Sequence, residues 1–403
     1  MGDVAVADGQ SPDARDPGSI QAGLVKPGLR IAIIGSRGIP ARYGGFETFA
    51  QELAPRLVER GHHVTVYCRK PNEGEEAPAE YQGVHLAYPP AVHSRSFEQL
   101  SHEMTSIVSS IPRHFDLYFF LGYRGSPFYV LLRLARRRVI VNTDGLEWRR
   151  RKWNRVGRAY LRMAEWIVAK FGADELVSDA EGIRQYFLRT YRRDSKHLAY
   201  GAYPYQTEDR RAEVLERFEL TPDDYYLVVC RIEPENNVDL IVREFVASGS
   251  TKELVIVGGM NHETPFWQKL QKLAGGSRVK FVGPVYGAMQ IESLLLGACG
   301  YVHGHEVGGT NPALLTAMGC GAPVIALDTE FNRENLVDTG RYFSKESGSL
   351  AGQIRWVDSH PEEAKALGEA ARARIREQYA WDSVADRYDA FFREFGRKRK
   401  LDV

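Results

Sequence analysis

Short apolar runs alternate with helical patterns along most of this chain. RIAIIG (30–35) ends in glycine. It is followed by FETFAQELAPRLVERG (46–61), where Phe46, Phe49, Leu53 and Leu57 recur at helical spacing and Gly61 supplies a stop. HVTVYC (63–68) is the next strand candidate, then VHLAY, DLYFFLG, VIVNTDG, ADELVSD (173–179) and HLAYGAY (197–203). After a polar stretch near 204–224, a second series begins with YYLVVCRIE (225–233). It continues through ELVIVGG (253–259), VKFVGPV (279–285), GYVHGH (300–305) and PVIALD (323–328). Strands separated by helices predict parallel sheets with crossover helices, and two successive series predict two facing, doubly wound Rossmann-like α/β domains. A final helix over 381–395 carries Trp381, Val384, Tyr388, Phe391, Phe392 and Phe395 on one apolar stripe that another surface must cover.

A length of 403 residues suits two or three domains with substantial cores. Residues 1–27, rich in Gly, Ala, Asp, Pro and Ser, read as a disordered leader. The first domain is expected over 28–204 together with the helix region 381–403, and the second over 205–380. A formal net charge of +1 excludes a general polyelectrolyte binder, so an anionic partner must meet a local patch. No apolar run reaches ~18 residues, which predicts no membrane-spanning helix, and the N-terminus lacks a signal-peptide pattern. Cys68, Cys230, Cys299 and Cys320 have neither C-x-x-C nor zinc spacing, and buried free thiols in a reducing cytoplasm are expected.

Two glycine-rich loops carry the candidate chemistry. In GSRGIPARYGGF (35–46), Gly44 and Gly45 precede a helix whose bare N–H groups and dipole can meet an anion. A tight structural turn is the alternative. The loop is not G-x-G-x-x-G, which argues against a dehydrogenase. In HGHEVGGTNPALLTAMGCGAP (303–323), Gly308 and Gly309 permit close backbone approach, Asn311 is a candidate N-cap, and Pro312 suits the first helical position. The helix start then aims N–H groups at Gly309, Thr310 and Asn311. Two such sites on facing domains suit a diphosphate and its sugar. His303 and His305 lack further metal ligands, so packing or supporting roles are expected.

Taken together, IGSRGIPARYGGFETF, VNTDGLEWRRRKW, RIEPENN (231–237) and HGHEVGGTNPALLTAMGCG resemble glycosyltransferase family 4, of GT-B fold, in its rhamnosyltransferase-like branch. The resemblance runs from about residue 30 to 395. It implies retaining transfer from a nucleotide-sugar with no metal or other cofactor. It also implies an acceptor-side first domain, a nucleotide-sugar-binding second domain, and a last helix that crosses back to the first. By resemblance, Arg231 clamps the donor diphosphate, for which a guanidinium is well shaped; a surface ion pair with Glu233 or Glu235 is the alternative. Where the family often has a lysine, this chain has Asn236, so Arg37 or Arg42 is expected to supply part of the missing charge. Asp144 is placed to stabilise developing positive charge, or else merely caps the turn at Gly145. Glu147 is expected to bind sugar hydroxyls, and the stretch from Gly283 to Tyr286 the base. Two family glutamates are replaced by Gly308 and Thr316. The second replacement departs even from the branch and offers a neutral hydroxyl where a carboxylate would hold the ribose.

The segment EWRRRKWNRVGRAYLRMAEWIVAKF (147–171) mixes Arg and Lys with Trp148, Trp153, Tyr160 and Trp166. That composition suits a helix on anionic lipid headgroups, or equally a solvated helix with a buried aromatic side. Family acceptors are often polyprenyl-diphosphate-linked, which favours the membrane. Nucleic acid is disfavoured, because the aromatic residues fit a helix and not a stacking sheet. The expectation is a cytoplasmic, peripheral hexosyltransferase. It moves a sugar, by resemblance rhamnose from dTDP-rhamnose, onto a lipid-linked or polysaccharide acceptor in cell-surface glycan synthesis. Two rivals stand beside it: another GT-B sugar-nucleotide enzyme, such as an epimerase or phosphorylase, and a catalytically degenerate GT-B binding protein.

Overall fold

The computed structural model describes residues 27–41, 44–71, 76–92, 98–150, 153–205, 211–259, 264–285 and 287–397. The expected leader through residue 26, Arg42 and Tyr286 lie outside them.

The first series forms an eight-stranded sheet of β1 (Arg30–Ile34), β2 (His63–Tyr67), β3 (Glu80–Tyr81), β4 (Val84–Ala87), β5 (Leu117–Leu121), β6 (Val139–Asn142), β7 (Glu175–Ser178) and β8 (Lys196–His197). The order is β3-β4-β2-β1-β5-β6-β7-β8, parallel except for the β3–β4 pair. The second series forms a six-stranded sheet of β9 (Tyr225–Val229), β10 (Glu253–Val257), β11 (Val279–Gly283), β12 (Gly300–His303), β13 (Val324–Leu327) and β14 (Arg341–Phe343). Its order is β11-β10-β9-β12-β13-β14, parallel throughout. Strands such as β5, LYFFL, are buried at every position because helices cover both faces, which is why they read as unbroken apolar runs. Each sheet reverses direction at its first strand, β1 or β9, and the carboxyl ends beside such a reversal open a crevice.

One local expectation is corrected, and two short strands join those expected. HLAYGAY keeps only its first residue in β8. The chain then leaves the sheet, and Ala202 N–H donates to Tyr379 C=O (2.7 Å) just before the last helix. The strands β3 and β14 are two and three residues long and lack an apolar run that would announce them.

The last helix (Trp381–Arg397) lies on the first domain. Trp381, Val384, Tyr388, Phe391 and Phe392 are buried, while Phe395 is half-buried. Phe392 meets Phe119 edge-on at 5.2 Å between centroids, and Tyr388 meets Phe49 of the first helix (Gly45–Glu59) at 5.4 Å. A Cβ on Gly201 would lie 2.3 Å from the Trp381 ring, so the chain can pass there only as glycine. Polar pairs rim the contact, among them Arg60–Asp386 at 2.7 Å and His62–Asp389 at 2.5 Å. All four cysteines are free thiols, and burial raises the Cys68 pKa to about 11. Among the described residues, no helix is long and apolar enough to cross a membrane.

Phe392→Ala is expected to lower the unfolding free energy by about 3–5 kcal/mol, because it opens a cavity between the last helix and the first sheet. Asp386→Asn, at an exposed pair, is expected to cost under ~1 kcal/mol. Urea denaturation of both variants checks the ranking; equal losses would mean that the aromatic face is not what holds the helix.

Candidate active site between the domains

The crevice is built from strand ends. After β6, Asp144 turns left-handed (φ 50) while its N–H donates to Asn142 Oδ1 at 2.9 Å, a local bond that makes this conformation tolerable for aspartate. The turn pushes Gly145 against the second domain, where a Cβ would lie 2.6 Å from Gly308 Cα. A Cβ on Gly45 would lie 3.6 Å from Pro312 Cγ. The two glycine loops therefore do face each other. Gly44 holds φ 123 at the first, and Glu47 ties that loop by accepting from Arg37 N–H at 2.8 Å.

In the second loop, Asn311 caps the helix Pro312–Gly319 by accepting from Ala313 N–H at 2.9 Å, as its sequence predicts. The neighbouring N–H is not open. Asp179, at the end of β7, accepts from Thr310 N–H at 3.0 Å, and its own carbonyl accepts from the Thr310 hydroxyl. A Cβ on Gly309 would lie 2.1 Å from Asp179 Oδ1. Gly309 and Thr310, expected to hold the donor, thus hold a carboxylate of the facing domain. Burial, reinforced by Asp144, raises the Asp179 pKa well above the usual carboxylate range. Sequence reasoning missed Asp179, although an acid at the end of a buried strand marks the crevice side of such a sheet.

Asp144 sits half-buried among charges. Burial pushes its carboxyl pKa up, Arg150 opposes this, and Glu147 adds to it. Glu147 is buried, with Arg124 at 2.9 Å, Arg150 at 2.9 Å and the Trp153 indole donating at 3.1 Å. Its oxygens, expected on sugar hydroxyls, hold protein cations in place here. Asn236 likewise has protein partners. It is buried, donates to Arg231 C=O at 2.6 Å, and meets His305 Nδ1 at 2.6 Å through Oδ1. It fixes the loop that carries Arg231. That arginine is exposed on the second domain's side, with Glu233 no nearer than 3.8 Å.

Burial and then Arg150 hold the His305 pKa down to about 4, so the ring is neutral at pH 7. An amide oxygen only accepts, so Nδ1 carries the proton and Nε2 presents a lone pair, 3.1 Å from where a Gly308 Cβ would lie. His303 is buried beside Tyr301, a packing role as expected. The Thr316 hydroxyl donates to Pro312 C=O at 2.9 Å within its own helix. Gly283 holds φ 75 at the end of β11 with no atom within 4 Å of a Cβ, and so faces open space.

The segment 147–171 is not one helix. It starts with a 3-10 turn (Glu147–Arg149) that turns Trp148 into the crevice, followed by the helix Arg155–Ile167 and a π-type turn, Val168–Gly172. Trp148 lines a pocket of about 480 Å³ with Leu146, Arg149 and Arg158 on one side and Glu235, Glu306, Val307, Gly308 and Phe331 on the other. Among the described residues, no group of three or more His, Cys, Asp or Glu is placed to hold a metal ion.

Residues 211–374 match the family model of glycosyl transferases group 1. Residues 29–203 match a domain of unknown function, DUF1972. The GDP-mannose-dependent alpha-(1-6)-phosphatidylinositol monomannoside mannosyltransferase of Mycobacterium tuberculosis (strain ATCC 25618 / H37Rv) is 24% identical over 405 residues, covering 88% of this chain and 96% of its own. Sucrose-phosphate synthase from Thermosynechococcus elongatus superposes with a TM-score of 0.76 at 18% identity, over 91% of this chain and 99% of its own. Anabaena HepE in complex with UDP-glucose superposes with a TM-score of 0.72 at 14% identity, over 91% of this chain and 100% of its own. The fold is GT-B. In it, the second domain carries Arg231, Asn236, His305 and the Gly308–Asn311 loop, and the first domain carries Gly45, Asp144, Glu147, Arg150 and Asp179.

Because the folded-state pKa of Asp179 lies above its unfolded value of about 3.9, its stabilising contribution is full below that pH and is lost as pH rises through the elevated folded value. Asp179→Asn is expected to unfold like wild type near pH 4 and to be more stable than wild type at pH 8. Parallel urea curves at both pH values check the sign; a mutant destabilised at pH 8 would mean that the ionised carboxylate is the form the loop prefers.

Proposed function

We propose that this chain transfers a glycosyl group, with retention and without a metal, from a nucleotide-sugar to a lipid-linked or saccharide acceptor. The observation that carries this reading is the crevice itself. Gly45 and the Asn311-capped helix start face each other across it, with Arg231 exposed alongside. Such an arrangement suits a diphosphate, held by N–H groups, helix dipoles and a guanidinium. The pocket beside it, with Trp148, Glu235 and Glu306, suits a sugar, which offers an apolar face and hydroxyls. The proposed step is a front-face substitution. A donor phosphate oxygen accepts the acceptor hydroxyl proton as the C1–O bond breaks, and Asp144 stabilises the positive charge developing on the sugar. Gly283 and Tyr286 are assigned to the base by resemblance.

The donor sugar is left as a hexosyl class. Of the relatives named above, one is GDP-mannose-dependent and one was solved with UDP-glucose, and none supports rhamnose. The mannosyltransferase, whose acceptor is a phosphatidylinositol monomannoside, supports a lipid-linked acceptor. Arg231→Ala should weaken binding of a nucleoside diphosphate at least ~10-fold, the effect of losing a charge-assisted hydrogen bond. Calorimetric titration with UDP, GDP and dTDP tests this, and unchanged affinity for whichever binds removes Arg231 from the site.

Membrane attachment is part of the proposal. Leu134 (76% exposed), Val156 (77%), Trp166 (47%) and Phe171 (55%) stand out from adjoining helices of the first domain. Arg133, Lys170 and Arg193 line a hollow beside Leu134 and Phe171. Apolar anchors ringed by cations suit an anionic bilayer surface. Vesicles containing phosphatidylglycerol should sediment the protein, less so as salt rises, and the double substitution Leu134→Ala with Trp166→Ala should reduce the bound fraction severalfold. Equal sedimentation with pure phosphatidylcholine, or none with either, would overturn the docking surface.

A further inference from the structure

The crevice is rich in carboxylates. Asp144, Glu147, Glu233, Glu235 and Glu306 lie along it, and Asp179 occupies the second loop. A nucleoside diphosphate brings about two negative charges and gains another as its bond to the sugar breaks. Arg231 is exposed on the second domain's side, and Arg149 and Arg158 line the neighbouring pocket. Of the two expected sources of a second cation, the Arg37 side chain is exposed at the first loop, and Arg42 lies outside the described residues.

Arg150 is different. Its side chain is only 15% exposed, and its Nε lies 2.9 Å from Glu147 Oε2. Carboxylates of both domains act on it: Glu147 and Asp144 from its own side, Glu233 and Glu235 from the other. The turn that carries Arg150 lies against the second loop: a Cβ on Gly145 would lie 2.6 Å from Gly308 Cα, and Arg149 lines the pocket together with Glu235 and Gly308. Glu147 engages Nε, the nitrogen nearest the chain. That pair can persist while the terminal nitrogens take a phosphate oxygen. Arg124 and Trp153 hold Glu147 from its other side, so the support is itself fixed.

We infer that Arg150 is the second cationic contact of the donor diphosphate, reaching across from the first domain to complete the site that Arg231 begins. The inference rests on the donor reading given above and names a residue for it. Each domain then contributes one guanidinium. A diphosphate bound between them draws the domains together, and the carboxylates around Arg150 keep it charged and placed while the site is empty.

The test compares nucleoside with nucleoside diphosphate. Wild type, Arg150→Gln, Arg150→Lys and Arg231→Ala are titrated with UDP, GDP and dTDP, and with the parent nucleoside of whichever diphosphate binds. Arg150→Gln is expected to weaken the diphosphate at least ~10-fold, with nucleoside affinity within about twofold of wild type. Arg150→Lys, which keeps a charge but not the planar fork, should fall between and serves alone if Arg150→Gln does not fold. A merely structural Arg150 would weaken nucleoside and diphosphate alike, or neither, and that result overturns the inference. If Arg231→Ala loses diphosphate affinity and the Arg150 variants do not, this inference fails while the donor reading stands. If wild type binds none of the three diphosphates, the donor reading fails and takes the inference with it.

Discussion

Phe49, Phe119, Tyr200, Trp381, Tyr388 and Phe392 form one aromatic cluster drawn from the first domain and from the helix that follows the second. The crevice depends on it. Without the returning helix, the face of the first sheet that carries Phe119 would lie open, and the single crossing near Ala202 would be all that joins the halves. With it, the domains are linked twice on one side. Across the crevice they touch through Gly145 on Gly308, Gly45 near Pro312 and Asp179 on Thr310, and through Glu334, which accepts from Glu181 N–H at 2.8 Å. A firm link on one side and light contacts on the other are what let a crevice open and close around a ligand.

The light contacts are chemically specific. Asp179 stands where an anion would stand on the second loop, accepting from Thr310 N–H. A buried carboxylate with its pKa raised is a weak occupant, and an incoming phosphate brings more charge to the same N–H groups. Around it, Glu147 and Asn236 spend their polar atoms on Arg150, Arg124, His305 and the Arg231 backbone. They shape the site from behind its surface.

What could be read in the sequence follows from how local the cause is. Buried parallel strands announce themselves as apolar runs, and the cap of Asn311 with Pro312 after it depends only on neighbours. The returning helix was legible because Trp381, Tyr388 and Phe392 share one face that water cannot be left to cover. Short edges such as β3 and β14 carry no such pattern. The two glycine loops were legible as turns, and they face each other across the crevice. Glu147 and Asn236 have the composition of ligand contacts, but which protein groups meet them, Arg124 and Arg150 for one and the Arg231 carbonyl and His305 for the other, depends on the folded turns. Arg150 sits in a basic run that reads as membrane-facing until a 3-10 turn carries Trp148 and its neighbours inward. Asp179 matters only because of what faces it.

The pairing of Arg60 with Asp386, 326 residues apart in sequence, has a consequence for how the chain is made. The first domain emerges from the ribosome early, yet the helix that seals its core is translated only after the whole second domain. Until then Phe49 and Phe119 have no cover, and a nascent chain with such a surface is prone to clump or to recruit a chaperone. A stop codon that removed only the final helix would damage the domain made first.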